Sequence, residues 1–212
     1  IASKMRGRPC DTIYIGGGTP TTLSPDQLER LLKLIQSEFP MEEVSEFTVE
    51  AGRPDTITRE KLEGLRDYPQ TMNQETLDLI GRRHTVEDIV SKYQLAREMG
   101  FDNINMDLIV GLPGEHKEHA AHTLERIKLL NPDSMTVHSL ALKRAARLNL
   151  FKDKYKEISF ENSQEIMQMT ADSAREMKMD PYYLYRQKDI AGNFENVGYA
   201  KLDKEGIYNI LI

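Results

Sequence analysis

One cysteine, Cys10, stands alone in 212 residues. A single thiol forms no internal disulfide and cannot by itself ligate an iron–sulfur cluster or a structural zinc. This excludes a disulfide-built secreted scaffold, fits a reducing compartment and sets the expectation of a cytoplasmic location. Long apolar runs are lacking as well: Asp107 interrupts the best of them, far short of the roughly 18 residues a membrane span needs. Positive charge is in deficit, with 28 Lys and Arg against 34 Asp and Glu and a formal net charge of −6. Such a surface repels phosphate backbones, so general nucleic-acid binding is disfavoured. The chain has no low-complexity tract, no Pro/Gly-rich linker and no repeat beyond a strand–helix unit. Ile1-Ala2-Ser3-Lys4-Met5 carries neither a start methionine nor a signal-peptide apolar core, and Ile210-Leu211-Ile212 finishes in an apolar run. The sequence therefore reads as a piece of a longer protein.

What is present suits a water-soluble folded chain: 39% apolar residues, 29% charged residues and a mean hydropathy of −0.55. The 24.3 kDa mass leaves one α/β unit or two small domains open. Thr12 to Ile15 is a β-rich run ending in glycines. Ser24, Pro25 and Gln27 then supply the cap, first helical position and capping-box partner of a helix with a Leu28, Leu31, Leu32, Ile35 stripe. Phe47 to Val49 is the next strand, and Thr58 opens a helix with Leu62 and Leu65 facing inward. Asn73 caps a short helix carrying Leu77 and Ile80. Thr85 and Asp88 cap another that ends at Gly100. Asn103 to Val110 reads as a buried strand, followed by a turn at Gly111 to Gly114 and a helix with Leu124, Ile127 and Leu130. Ser134 to Leu140, a helix with Ile166, Thr170, Ala174 and Met177, and a strand at Tyr182 to Tyr185 complete the series. This alternation predicts a parallel sheet with crossover helices, open or curled into a barrel. One place breaks the rhythm, because Asp67-Tyr68-Pro69-Gln70-Thr71-Met72 is too short for a strand and its loops. The expectation is that a strand is missing near Pro69 and Gln70.

Several residues can carry chemistry. Gly16-Gly17-Gly18-Thr19-Pro20 lies between a strand and a helix, at the carboxyl end of the sheet where α/β ligand sites form. A plain tight turn stays open for it, and both the P-loop ending and the full dinucleotide spacing are lacking. Glu50 ends the second strand and Asp107 lies within the third, so two carboxylates converge on one sheet edge. Asp107, among Met106, Leu108, Ile109 and Val110, is the harder to dismiss, since a buried carboxylate is costly unless bonded. Arg82 lies across a short helix from Gln70; it can clamp a carboxylate or simply complement a helix dipole. His116, His119 and His122 recur at threes, but no completing ligand set makes them a metal site. His138, alone in an apolar strand, reads as a satisfied core histidine rather than a base. Lys143, Arg144 and Arg147 form a basic cluster that can receive an acidic substrate or be a solvated face, and the ten methionines read as core filling.

Taken together, the glycine run, Glu50, the Gln70 to Arg82 spacing and Asp107 before Gly111-Leu112-Pro113-Gly114 resemble the radical S-adenosylmethionine (SAM) enzymes. The likeness is close to the oxygen-independent coproporphyrinogen III oxidase (dehydrogenase) family. Pro181-Tyr182-Tyr183-Leu184-Tyr185-Arg186-Gln187 with Glu195-Asn196-Val197-Gly198-Tyr199 resembles one bacterial branch of that family.

The resemblance implies a truncated α/β partial barrel of parallel (β/α) type, with residues 1–212 as the core of a single barrel. It implies that Gly17, Gly18 and Thr19 hold the methionyl amino group of SAM, Arg82 its carboxylate, Gln70 and Asp107 the ribose hydroxyls, and Gly111, Leu112 and Pro113 the adenine side. Glu50 lies beside the methionyl part. The implied chemistry is reductive cleavage of SAM by a 4Fe–4S cluster, giving a 5′-deoxyadenosyl radical that takes hydrogen from a propionate. Loss of carbon dioxide then leaves a vinyl group, twice per coproporphyrinogen III. Lys143, Arg144 and Arg147 become a dock for carboxylates of the tetrapyrrole, the expected substrate, with the reductant and catalytic residues unassigned. The family's Cys-x-x-x-Cys-x-x-Cys motif belongs upstream of the glycine run, and Cys10 is too near Gly16 to be part of it. The chain alone is therefore expected to be inactive, lacking that segment and a C-terminal substrate-covering region. Two other readings stand beside the enzyme: a relative that binds and passes on haem, and a cluster-less SAM-binding module.

Overall fold

In the computed structural model, residues 10–17, 20–51, 65–140, 162–186 and 194–211 are described. They form β1 (Thr12–Ile15), α1 (Pro25–Glu38), β2 (Glu46–Ala51), β3 (Leu65–Gln70), α2 (Gln74–Leu79), α3 (Val86–Glu98), β4 (Asn105–Val110), α4 (Lys117–Leu130), β5 (Ser134–Ser139), α5 (Gln164–Glu176), β6 (Asp180–Tyr185), β7 (Asn196–Ala200) and α6 (Ile207–Leu211). Local chemistry sets the helix starts. Gln27 N donates to Ser24 Oγ at 3.3 Å while Ser24 N donates to Gln27 Oε1 at 2.9 Å, a reciprocal capping box on α1. Thr85 and Asp88 repeat the device on α3, with Thr85 N donating to Asp88 Oδ2 at 2.8 Å.

The seven strands lie in the order β1-β2-β3-β4-β5-β7-β6. The first five pair in parallel, as the alternation predicts. β7 then inserts antiparallel between β5 and β6. Its Asn196–Ala200 run is one leg of a hairpin with β6 rather than a further strand–helix unit, so the parallel rhythm carries no sign of it.

The expected loss of a strand near Pro69 and Gln70 is corrected: β3 occupies Leu65–Gln70 and bridges β2 and β4, Val49 facing Leu65 and Gln70 facing Leu108. By its spacing to Leu62 alone, Leu65 fits the inward face of a helix. Its place is the first residue of the strand, so the strand does not have to fit between Asp67 and Met72. The register shifts between Asp67 and Gln70. The proposed helix from Thr58 lies outside the described residues.

Alternation along the strands divides two environments. Val49, Met106, Leu108, Met135 and Val137 are almost wholly buried, packed with Leu77, Ile89, Ile127 and Ile166 of the helices. The intervening residues, Asn105 and Asp107 on β4 among them, point to the opposite face. The sheet is curled: the five-residue helix α6 touches both edge strands, through a Tyr14–Tyr208 ring stack at 4.2 Å and an Asn209 Nδ2 to Tyr182 hydroxyl bond of 2.9 Å. Seven flat strands at about 4.8 Å spacing would hold those edges nearly 30 Å apart, against a helix about 8 Å long. The non-helical face is therefore the concavity of an open barrel.

At the amino end of the strands a charged cluster locks the turns. Arg97 Nη1 lies 2.6 Å from Asp133 Oδ2, which also accepts from Ile104 N at 2.8 Å, and Arg97 Nε donates to the Tyr93 hydroxyl at 2.9 Å.

Candidate functional site

The candidate residues that are described gather at the carboxyl end of the parallel strands. Gly16 and Gly17 leave β1, and Gly17 has a φ of 81°, a left-handed conformation that a side chain would strain. Its N–H donates to Glu50 Oε2 at 3.3 Å, and the Tyr14 hydroxyl donates to Glu50 Oε1. Glu50 thus fastens the glycine turn to the end of β2. Gly18 and Thr19 lie outside the described residues, as do Lys143, Arg144 and Arg147.

Gln70, the last residue of β3, has a φ of 62°, uncommon for a residue with a side chain. Arg82 is brought to it by the end of α2, where Arg82 N donates to Leu77 O at 2.8 Å and Gly81 N to Asp78 O at 3.1 Å. This backbone closure stops the helix and turns the guanidinium back over the strand end, where Arg82 Nε donates to Gln70 Oε1 at 2.8 Å. Arg82 thus lies past the helix end in a side-chain pair, which goes beyond complementing a dipole.

Asp107 is 8% exposed and faces the concavity. Asn105 Nδ2 donates to its Oδ1 at 2.5 Å, and Thr136 Oγ1 donates to Asn105 Oδ1 at 3.2 Å. The carboxylate is thereby bonded rather than stranded. Past β4, Gly111, Leu112 and Pro113 are buried. Glu115 N closes a turn on Leu112 O at 3.1 Å with Gly114 at φ 76°. Pro then Gly with positive φ is the pattern of a type II turn, which requires a glycine at its third position.

A second set of residues, given no site role by the sequence, binds this turn to the end of β3. Glu115, 5% exposed, accepts from Thr71 Oγ1 at 2.6 Å and from Asn73 Nδ2 at 2.9 Å through Oε1. Thr123 of α4 joins both, accepting from Met72 N at 3.1 Å. Asn73 does stand at the start of α2, yet its side chain makes no capping bond. Its Nδ2 donates instead to Glu115 Oε1 and to the His119 carbonyl of α4, with His122 Nδ1 2.9 Å from Asn73 Oδ1. The available sequence signal was Glu115, a carboxylate directly after a Pro-Gly turn.

The three regularly spaced histidines have separate partners at their rings. His119 Nδ1 accepts from His116 N at 3.1 Å, and His122 is engaged by Asn73. A cavity of about 740 Å³ opens between α2, α3 and α4, lined by Leu79, Val86, His119, His122 and Arg126 among others. It reaches the candidate site at Pro113. Cys10 donates through its Sγ to Thr12 O at 3.0 Å.

A strand-end site of this composition on a curled parallel sheet defines a class, and the family comparison agrees: residues 1–127 match the model of the radical SAM superfamily, and the chain belongs to that superfamily. The superfamily uses S-adenosylmethionine with a 4Fe–4S cluster. Within it, the chain is 47% identical over 210 residues to the oxygen-independent coproporphyrinogen-III oxidase-like protein HemZ of Bacillus subtilis, covering 95% of this chain and 42% of that protein. It is 40% identical over 138 residues to the heme chaperone HemW of the same organism, covering 61% of this chain and 36% of that protein. The solved structure of coproporphyrinogen III oxidase (HemN) from Escherichia coli, a radical SAM enzyme, superposes with a TM-score of 0.77 at 29% identity, over 96% of this chain and 46% of that one. The chain thus spans less than half the length of these relatives. Among the described residues no helix is long and apolar enough to cross a membrane.

Proposed function

We propose that this chain is the SAM-binding core of a radical SAM oxidoreductase acting on a tetrapyrrole, converting propionate side chains of coproporphyrinogen III to vinyl groups in haem biosynthesis. The observation that carries the reading is the Arg82–Gln70 pair on the same sheet edge as Asp107, within a chain 47% identical to a coproporphyrinogen oxidase-like protein.

The residues fit SAM. Its methionyl carboxylate needs a guanidinium, its ribose an amide and a carboxylate, and its adenine a largely apolar wall. Arg82 supplies the first and Gln70 and Asp107 the second. The buried Gly111, Leu112 and Pro113 supply the third, and the turn of Gly17, with Gly18 and Thr19, takes the amino group. Glu50 acts through the backbone here, holding Gly17 N–H, and so orients the amino-group pocket. Asn105 keeps Asp107 aimed into the concavity. SAM, when bound, supplies the hydrogen-abstracting 5′-deoxyadenosyl group. The residues present do not fit the 4Fe–4S cluster, because the chain has a single cysteine; the cluster ligands are proposed to come from a segment upstream. Lys143, Arg144 and Arg147 are proposed to receive carboxylates of the tetrapyrrole.

Similarity to a heme chaperone supports a second reading, haem binding and transfer. The deciding experiment uses the longer protein, extended upstream and reconstituted anaerobically with iron and sulfide. 5′-Deoxyadenosine and decarboxylated product are measured together. Both products support the oxidase; 5′-deoxyadenosine without decarboxylation overturns the substrate; neither product, with tight haem binding, favours the chaperone.

A further inference from the structure

His138 does not lie where a satisfied core histidine would. Its neighbours Met135 and Val137 are fully buried against the helices, so the alternation of β5 turns Thr136 and His138 to the concave face. There the register sets Thr136 opposite Asp107 and His138 opposite Ile109. The face carries a polar ladder: Thr136 bonds Asn105, and Asn105 bonds Asp107 Oδ1. At its upper end Asp107 Oδ2 lies 3.9 Å from His138 Nε2, the carboxylate side chain 11% exposed and the imidazole 38% exposed. The pair is where the ladder opens to the concavity.

A gap of 3.9 Å is too long for a direct hydrogen bond, yet one oxygen atom can stand about 2.8 Å from both groups. A hydroxyl placed there needs an acceptor for its proton and a donor for its lone pair. An ionised carboxylate only accepts, whereas an imidazole N–H donates. The two groups are therefore complementary to a single alcohol.

We propose that His138 is the second half of the ribose grip: one ribose hydroxyl of the adenosyl ligand donates to Asp107 Oδ2 and accepts from His138 Nε2–H. This rests on the reading of Asp107 as a ribose ligand. It adds a direct ligand-binding role for a residue whose sequence position suggested none.

The test is calorimetric binding of S-adenosylhomocysteine and its 2′-deoxy and 3′-deoxy counterparts to the full chain, which needs no turnover. His138→Leu should weaken S-adenosylhomocysteine binding about tenfold, the scale of one lost hydrogen bond, and His138→Gln, which keeps an N–H donor, should recover most of it. One deoxy analogue should bind the wild type at least tenfold more weakly than S-adenosylhomocysteine, and its penalty in His138→Leu should be several-fold smaller, because the variant has already lost one of the hydroxyl's two bonds and only the bond to Asp107 remains to be lost. Binding by His138→Leu within about twofold of the wild type overturns the proposal. So does the same further loss for the deoxy analogues in the variant as in the wild type. Should Asp107→Asn bind S-adenosylhomocysteine as the wild type does, the ribose reading itself falls and this inference with it.

Discussion

Arg82 donates from Nε to Oε1 of Gln70 at 2.8 Å, joining two residues on opposite sides of helix α2. Gln70 reaches this bond at a φ of 62°, so the end of β3 and the end of α2 are held in one arrangement before any ligand arrives.

Arg82→Lys is expected to weaken S-adenosylhomocysteine binding at least tenfold while leaving stability within about 0.5 kcal/mol. A lysine keeps the charge but loses the planar fork that meets Gln70 and a carboxylate together. Calorimetric affinity alongside a urea midpoint checks both halves. Unchanged affinity would show that the guanidinium is structural.

Glu115→Gln tests the link between the strand ends. The carboxylate accepts from Thr71 and Asn73 in a buried setting, and an amide placed there brings donors toward donors. A loss of about 1–3 kcal/mol is expected from urea unfolding, with a several-fold fall in ligand affinity because the turn at Leu112 and Pro113 loses its anchor.

Asp133→Ala acts at the opposite end of the sheet. It leaves Arg97 and Ile104 N without their carboxylate, and breaking a largely buried pair costs about 3 kcal/mol. Ligand affinity at the far edge should stay unchanged. A fall in affinity with little loss of stability would contradict the separation of the two clusters.

The alkaline limb of stability follows from two buried phenols. Burial raises Tyr93 and Tyr199 above the ordinary tyrosine value of 10.0, with the Arg97 bond opposing the shift at Tyr93 and the Thr170 bond opposing it at Tyr199. Their folded values exceed the unfolded ones, so the contribution is fully present below pH 10 and is lost as pH rises through the raised values. Burial lowers Lys201, and its contribution runs the other way, improving as pH rises through its depressed value. Melting temperature should therefore fall above pH 10, and Tyr199→Phe should flatten that fall. Phenolate absorbance against pH should show Tyr93 and Tyr199 among the late-titrating groups, and Tyr199→Phe should remove one of them.

If Lys143, Arg144 and Arg147 dock carboxylates of the proposed tetrapyrrole substrate, neutralising them together should raise its KM with kcat and SAM affinity little altered, since charges that meet only the substrate act on its capture. Steady-state kinetics of the longer protein reads this. Unchanged substrate affinity removes the carboxylate dock.

Much of the framework was legible in the residues. Ser24 with Gln27 and Thr85 with Asp88 announce helix starts because a capping box is complete within four residues. Asp107 stood out because a carboxylate inside an apolar run must have a partner. Leu65 misled because its spacing to Leu62 fits a helix face, and strand pairing with Val49 overrides that local preference. Asn73 looked like a cap for the same local reason, while its partners Glu115 and His122 lie more than forty residues away.

The sequence by itself determined the strand–helix alternation, the helix starts marked by capping boxes, the glycine turns and the family to which the chain belongs. These rest on interactions between residues close along the chain, which spacing encodes. The tertiary structure alone decided that β3 bridges β2 and β4, that β7 inserts antiparallel, that Arg82 meets Gln70, and that His138 turns toward Asp107. Those outcomes depend on register and on which face each strand turns to the helices, and a shift of one residue would reverse them.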